Sequence, residues 1–101
     1  MKTMTPQVLR TRLAEGNPPY IIDIRPVSDD VLGVDVQMSL EAIQAGTFPN
    51  IPKDTSVLII CTYGRVSELA GAYLEAAGFT DVYNLAGGVR AWQQVMQVSS
   101  S

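Results

Sequence analysis

The chain has 101 residues, 47% of them hydrophobic and 17% charged, with a net charge of −3 and no histidine. That is one domain by length, with enough apolar material for a core that needs no disulfide or structural metal, and its acidic balance excludes the basic footprint of a nucleic-acid binder and any pull toward anionic membranes. Without histidine, Ser-His-Asp and Cys-His catalysis are excluded and the commonest metal ligand is missing, so chemistry must run on a thiol, carboxylates, hydroxyls, arginines and backbone amides.

The segment from Met1 to Pro6 lacks the apolar centre of a signal peptide, and no run is long and apolar enough to span a membrane, so a cytoplasmic protein is expected. Its one cysteine, Cys61, cannot form an internal disulfide and suits a reducing compartment. Thr5-Pro6 reads as a helix N-cap followed by proline at the first helical position, with Val8, Leu9 and Leu13 recurring at helical spacing up to a stop at Gly16. After the Asn17-Pro18-Pro19 loop, Tyr20–Ile24 is the nearly all-apolar run of a strand buried on both faces. Residues 25–33 read as irregular, a weak strand is expected over Val34–Met38, and Ser39 is placed to cap a short helix through Ile43 that ends at Gly46. Val57-Leu58-Ile59-Ile60-Cys61 is the strongest strand pattern in the chain. A brief loop then leads to a helix from about Ser67 to Ala77, closed by Gly78, with Tyr73 and Leu74 assigned to its sheet-facing side. Val82–Asn84 reads as a further short strand and Gly87-Gly88 as a turn. Val89, Trp92, Val95 and Met96 form one face of a last helix, with Trp92 as a core anchor, and the tail over residues 97–101 is expected to fray. Strands alternating with helices give an α/β fold with a mostly parallel sheet in one domain. Ligands of such sheets bind at the carboxyl ends of the strands, where both Asp23 and Cys61 fall.

The segment Cys61-Thr62-Tyr63-Gly64-Arg65-Val66-Ser67 joins a buried strand to a helix. Such a junction leaves backbone N–H groups without helical partners, converging where the helix dipole favours negative charge. A loop that curls around the Cys61 sulfur would stabilise a thiolate, lower the thiol pKa and make a nucleophile without a histidine base. Gly64 supplies the backbone freedom for the curl, and Arg65 a positive charge at the mouth. Position alone leaves open a second reading, in which Cys61 is a small buried hydrophobe and Arg65 a solvated surface charge.

These residues resemble a known family. Cys61–Ser67 is similar to the rhodanese active-site loop, C-x-x-G-x-R-S. Ala76–Trp92 resembles that family's closing signature, G-F-x-x-V-x-x-L-x-G-G-x-x-A-W, and Ile22-Asp23-Ile24-Arg25 its D-x-R strand end. The resemblance implies a five-stranded sheet flanked by helices on both faces, and a ping-pong sulfur transfer. Cys61 would take the outer sulfur of a donor such as thiosulfate, hold it as a persulfide in the loop of Thr62, Tyr63, Gly64, Arg65, Val66 and Ser67, and hand it to a small thiol or protein acceptor. No cofactor, metal, nucleic acid or membrane enters that scheme.

Three positions depart from the pattern. The loop arginine, sixth in the motif, is Val66, and the arginine stands one place earlier at Arg65. The G-H-[IA] segment reads Gly33-Val34-Asp35, with valine in the histidine position, and the acidic-aromatic pair before it reads Asp29-Asp30. The first departure points to weaker or re-aimed anion binding, the second to altered packing, and the third to an Arg25–Asp29 ion pair. Asp23 is read as a carboxylate that orients the loop, not as a general base. Thr62 and Tyr63 lie at the pocket rim. Two alternatives are set beside sulfur transfer: a non-catalytic or regulatory protein-binding module on the same fold, and a cysteine phosphatase. The latter's C-x5-R motif would need arginine where Ser67 stands.

Overall fold

A computed structural model describes residues 1–26 and 33–100, with residues 97–100 described by backbone alone. In chain order the elements are β1 (Lys2–Met4), α1 (Pro6–Ala14), β2 (Tyr20–Asp23), β3 (Val36–Gln37), α2 (Leu40–Gln44), β4 (Val57–Ile60), α3 (Val66–Ala76), β5 (Val82–Leu85) and α4 (Gly88–Ser100). The five strands form one parallel sheet in the order β1-β5-β4-β2-β3. From β2 the chain moves outward to β3 and then returns to the other side of β2 as β4. The order therefore reverses between β2 and β4, where an α/β sheet opens a crevice at its carboxyl ends.

Alternation along the strands divides the core in two. Val57 and Ile59 of β4 join Ile22, Ile43, Ala70 and Leu74 on the face covered by α2 and α3. Leu58 and Ile60 join Met4, Leu9, Ile21, Leu85, Val89 and Trp92 on the face covered by α1 and α4. All four β4 residues are fully buried, each contributing about 1.5–3 kcal/mol of apolar burial. The caps form as read: Thr5 Oγ1 accepts from the Val8 amide at 3.2 Å and Ser39 Oγ from the Ala42 amide at 3.0 Å. Trp92 is buried in the α1/α4 layer. The α4 backbone is helical to Ser100.

Several expectations need correction. Tyr73, assigned to the sheet-facing side of α3, is exposed, whereas Leu74 is fully buried. Successive helical residues point about 100° apart, so the two cannot share one narrow face. Val8 and Met96 are likewise exposed, whereas Leu9, Val89 and Trp92 of their stripes are buried and Leu13 packs against them partly buried. β3 is shorter than the Val34–Met38 run: Val34 packs beside the α1/α4 layer, and Asp35 leaves the strand pattern by accepting from the Ile21 amide at 2.8 Å through Oδ2.

β1 goes unread in the sequence because Lys2-Thr3-Met4 buries one residue of three. It is an edge strand, tied to the sheet partly by Asp81 at the foot of β5. The Asp81 carboxylate receives Lys2 Nζ at 2.5 Å and the hydroxyl of Ser56. The Lys2 bond foremost, then Ser56, holds its pKa down at about 2. A depressed carboxylate stabilises the fold fully above its unfolded value of about 4, and that contribution is lost as pH falls toward the folded value. The thermal midpoint of the wild type should therefore drop between about pH 4 and 2 more steeply than that of Asp81→Asn. Parallel pH curves for the two proteins would rule this out, and added salt should shrink the difference because Lys2 is largely exposed.

Candidate active site

The carboxyl ends of β2 and β4 lie side by side, with Asp23 paired in register with Ile60. Above them lies a cleft of about 420 Å³ lined by Ile24, Arg25 and Pro26 from the end of β2 and by Cys61, Thr62, Tyr63, Arg65 and Val66 from the loop after β4. Cys61 lies at its floor, 6% exposed. The following loop folds back over the sulfur: the Gly64 amide approaches Sγ to 3.1 Å and the Ser67 hydroxyl stands 3.4 Å away. Burial pushes the Cys61 thiol up, but the Ser67 hydroxyl and the backbone amides of Ser67, Gly64 and Val66 outweigh it, and the thiol lies below its ordinary range. The Val66 and Ser67 amides belong to the first turn of α3, whose N-cap, Arg65, makes no side-chain capping bond. Those donors are thus left to the sulfur instead of a cap.

What closes the loop is the first turn of α4. The amides of Val89 and Arg90 donate to the carbonyls of Cys61 and Thr62 at 2.9 and 3.1 Å. The loop thereby satisfies the orphan donors of one helix while its own amides turn inward. Such a contact requires bare backbone. Gly64 sits at φ +82°, where a β-carbon would lie 2.9 Å from the Leu85 carbonyl oxygen. Gly88 sits at φ +68°, where one would lie 2.5 Å from the Thr62 oxygen and 2.6 Å from the Cys61 oxygen.

The residues expected at the site are brought together there with distinct roles. Thr62, Tyr63, Arg65 and Val66 are exposed at the rim, whereas Gly64 and Ser67 are buried beneath it. Asp23, 1% exposed, does not line the cleft but holds Arg25, which does. Its carboxylate receives the Arg25 amide at 2.9 Å, Nε at 3.0 Å and the terminal guanidinium nitrogen at 2.8 Å. This bidentate clamp engages the guanidinium expected to meet Asp29, which lies outside the described residues. A buried pair of this kind stiffens the strand end; removing either partner costs about 3–5 kcal/mol.

Asn84 goes unread at the sequence level. It is 5% exposed on β5, accepts from the Ser67 hydroxyl through Oδ1, and donates from Nδ2 to the Gly64 carbonyl at 2.9 Å. The available signal was parity: Val82 faces the α3 side, so Asn84, two residues on, faces it as well. Position 67, which a C-x5-R phosphatase loop would give to arginine, holds a fully buried serine.

A parallel five-stranded sheet with a lone cysteine ringed by backbone amides at its switch point defines a class, and comparison places the chain in it. The family model of the rhodanese-like domain matches residues 5–95, and the chain belongs to that family. A sulfurtransferase from Allochromatium vinosum is 36% identical over 87 residues, covering 83% of this chain and 80% of that protein. The probable adenylyltransferase/sulfurtransferase MoeZ of Mycobacterium tuberculosis is 34% identical over 94% of this chain, which spans only 25% of MoeZ. Among solved structures, a rhodanese homologue from Thermus thermophilus superposes with a TM-score of 0.69 at 32% identity, covering 87% of this chain and 96% of that one. No described helix is long and apolar enough to cross a membrane.

Proposed function

We propose that this chain is a cytoplasmic sulfurtransferase that carries sulfane sulfur on Cys61, taking it from a thiosulfate-like donor and passing it to a thiol or protein acceptor. The observation that carries this reading is the Cys61 sulfur at the floor of the cleft, facing the Gly64 amide at 3.1 Å inside a loop whose other amides also point at it. In the first half-reaction the Cys61 thiolate attacks the outer sulfur of thiosulfate. A new S–S bond forms at Cys61 as the donor's S–S bond breaks, and sulfite leaves with that electron pair. The product is an anionic persulfide, and preorganised N–H donors in a partly desolvated cleft hold such an anion without reorganisation. In the second half-reaction a nucleophile attacks the terminal sulfur and Cys61 returns as thiolate; with cyanide the product is thiocyanate.

Intact mass after incubation with thiosulfate tests the reading. The expected result is a gain of one sulfur atom, removed by a cyanide chase. No gain from thiosulfate or from organic sulfane donors, on a Cys61 that iodoacetamide still alkylates, would overturn it in favour of a protein-binding module.

The donor preference turns on Val66, 47% exposed on the cleft wall. Val66→Arg adds a guanidinium beside Arg65 at the mouth, and the apparent KM for thiosulfate should fall roughly threefold to tenfold, the worth of one partly exposed charge contact. A cation at a helix N-terminus also opposes the dipole, so stability should drop by about 0.3–1 kcal/mol. An unchanged KM would mean that the amides alone bind the donor.

A further inference from the structure

The hydrogen-bond chain Gly64–Asn84–Ser67–Cys61 has a direction that the donors and acceptors dictate. The Gly64 carbonyl can only accept, so the Asn84 amide must turn Nδ2 toward it, at 2.9 Å. That leaves Asn84 Oδ1, which can only accept, facing the Ser67 hydroxyl. Ser67 has one hydrogen, and it goes to Asn84. Its oxygen is then left as an acceptor toward Cys61, whose sulfur stands 3.4 Å away as a donor. The arrangement is complete for a protonated thiol, and every member is buried.

A thiolate or persulfide reverses the last link, because negative sulfur can only accept. The thiol proton leaves to water at the cleft mouth, and the Ser67 hydroxyl must turn its own hydrogen from Asn84 Oδ1 to the sulfur. We propose that Asn84 is a positioning residue that competes with Cys61 for the Ser67 hydrogen, so that charge on the sulfur is coupled to a swing of that hydroxyl. Asn84 thus keeps Cys61 less acidic than its amides and an uncontested Ser67 hydroxyl would make it, and leaves an unpaired Oδ1 whenever the sulfur is charged. The inference rests on Cys61 as the reactive group of the proposed function, but its test needs no sulfur donor.

The test is the pH dependence of Cys61 alkylation by iodoacetamide. Asn84→Leu keeps the branched shape and heavy-atom count of the side chain and removes the competitor. The profile should shift to lower pH and the rate below the pKa should rise roughly threefold to fivefold, the equivalent of one net hydrogen bond. A residue that merely supported the loop would shift the profile the other way or leave it unmoved, and either result would overturn the proposal. In a Ser67→Ala background the gain from Asn84→Leu should vanish; an equal gain there would show that Asn84 acts without Ser67. Should Asn84→Leu not fold, Asn84→Asp serves instead. Its carboxylate pins the hydroxyl, and the profile should move to higher pH by more with Ser67 present than with Ser67→Ala. Equal shifts in the two backgrounds would refute the coupling. Sulfur uptake on thiosulfate treatment is scored separately, so a failure of the transferase reading and a failure of this one give different results.

Discussion

Cys61→Ser is expected to abolish both the sulfur adduct and thiosulfate:cyanide turnover, lowering the rate by roughly three orders of magnitude or more. The hydroxyl that replaces the thiol keeps nearly the same size and can bond to Ser67 and to the Gly64 amide, so the loop has no reason to open. The fold should stay within about 1 kcal/mol of the wild type, the scale of one exchanged neutral hydrogen bond. What is lost is the chemistry. An alcohol is not appreciably ionised at neutral pH even with several amides around it, and oxygen is a poor nucleophile toward sulfane sulfur. The measurements are intact mass and thiocyanate formation on the two proteins, with thermal unfolding as the folding control. Sulfur uptake by Cys61→Ser equal to the wild type would place the carrier elsewhere and remove the basis of the proposed function.

Gly88→Ala should damage both the fold and the cysteine loop. An added β-carbon would lie 2.5 Å from the Thr62 oxygen and 2.6 Å from the Gly64 nitrogen, both backbone atoms that cannot rotate away, at a φ of +68° that alanine resists. Strain and displacement together should cost roughly 2–4 kcal/mol, a fall of about 10 °C or more in Tm for a domain of this size. Because the displaced atoms are the outer wall of the cysteine loop, Cys61 alkylation at neutral pH should slow as well. Gly16→Ala is the matched control, with φ at +73° and nothing within 4 Å of the added carbon. Its cost is the backbone preference alone, about 1 kcal/mol. Equal losses in the two variants would mean that the contact between the α4 turn and the loop contributes nothing.

Much of the site was legible because its chemistry is local. The Cys61–Ser67 loop sits between a strand of four consecutive aliphatic residues and a helix, and that junction alone implies amides converging on the sulfur. Caps at Thr5 and Ser39 were equally local, since each bonds an amide three residues away. The stripes were less secure. Val8, Tyr73 and Met96 are apolar residues at plausible spacing that face solvent, because a helix lying on a sheet buries a narrower arc than its apolar residues suggest.

The sequence by itself determined the α/β alternation, the four strands with aliphatic runs or flanks, the loop that carries Cys61 and the exclusion of histidine chemistry, since each rests on residues close in the chain. Tertiary structure alone decided the rest. β1 is a strand because β5 offers it a free edge, in register from Lys2–Tyr83 to Met4–Leu85. Arg25 meets Asp23 because the strand end lets its side chain fold back. Asn84 reaches Ser67, and Gly88 the Cys61 carbonyl, across sequence gaps that no periodicity spans. A hydrogen bond or a van der Waals wall between distant residues depends on sheet order and register, and those follow from the burial of both sheet faces at once.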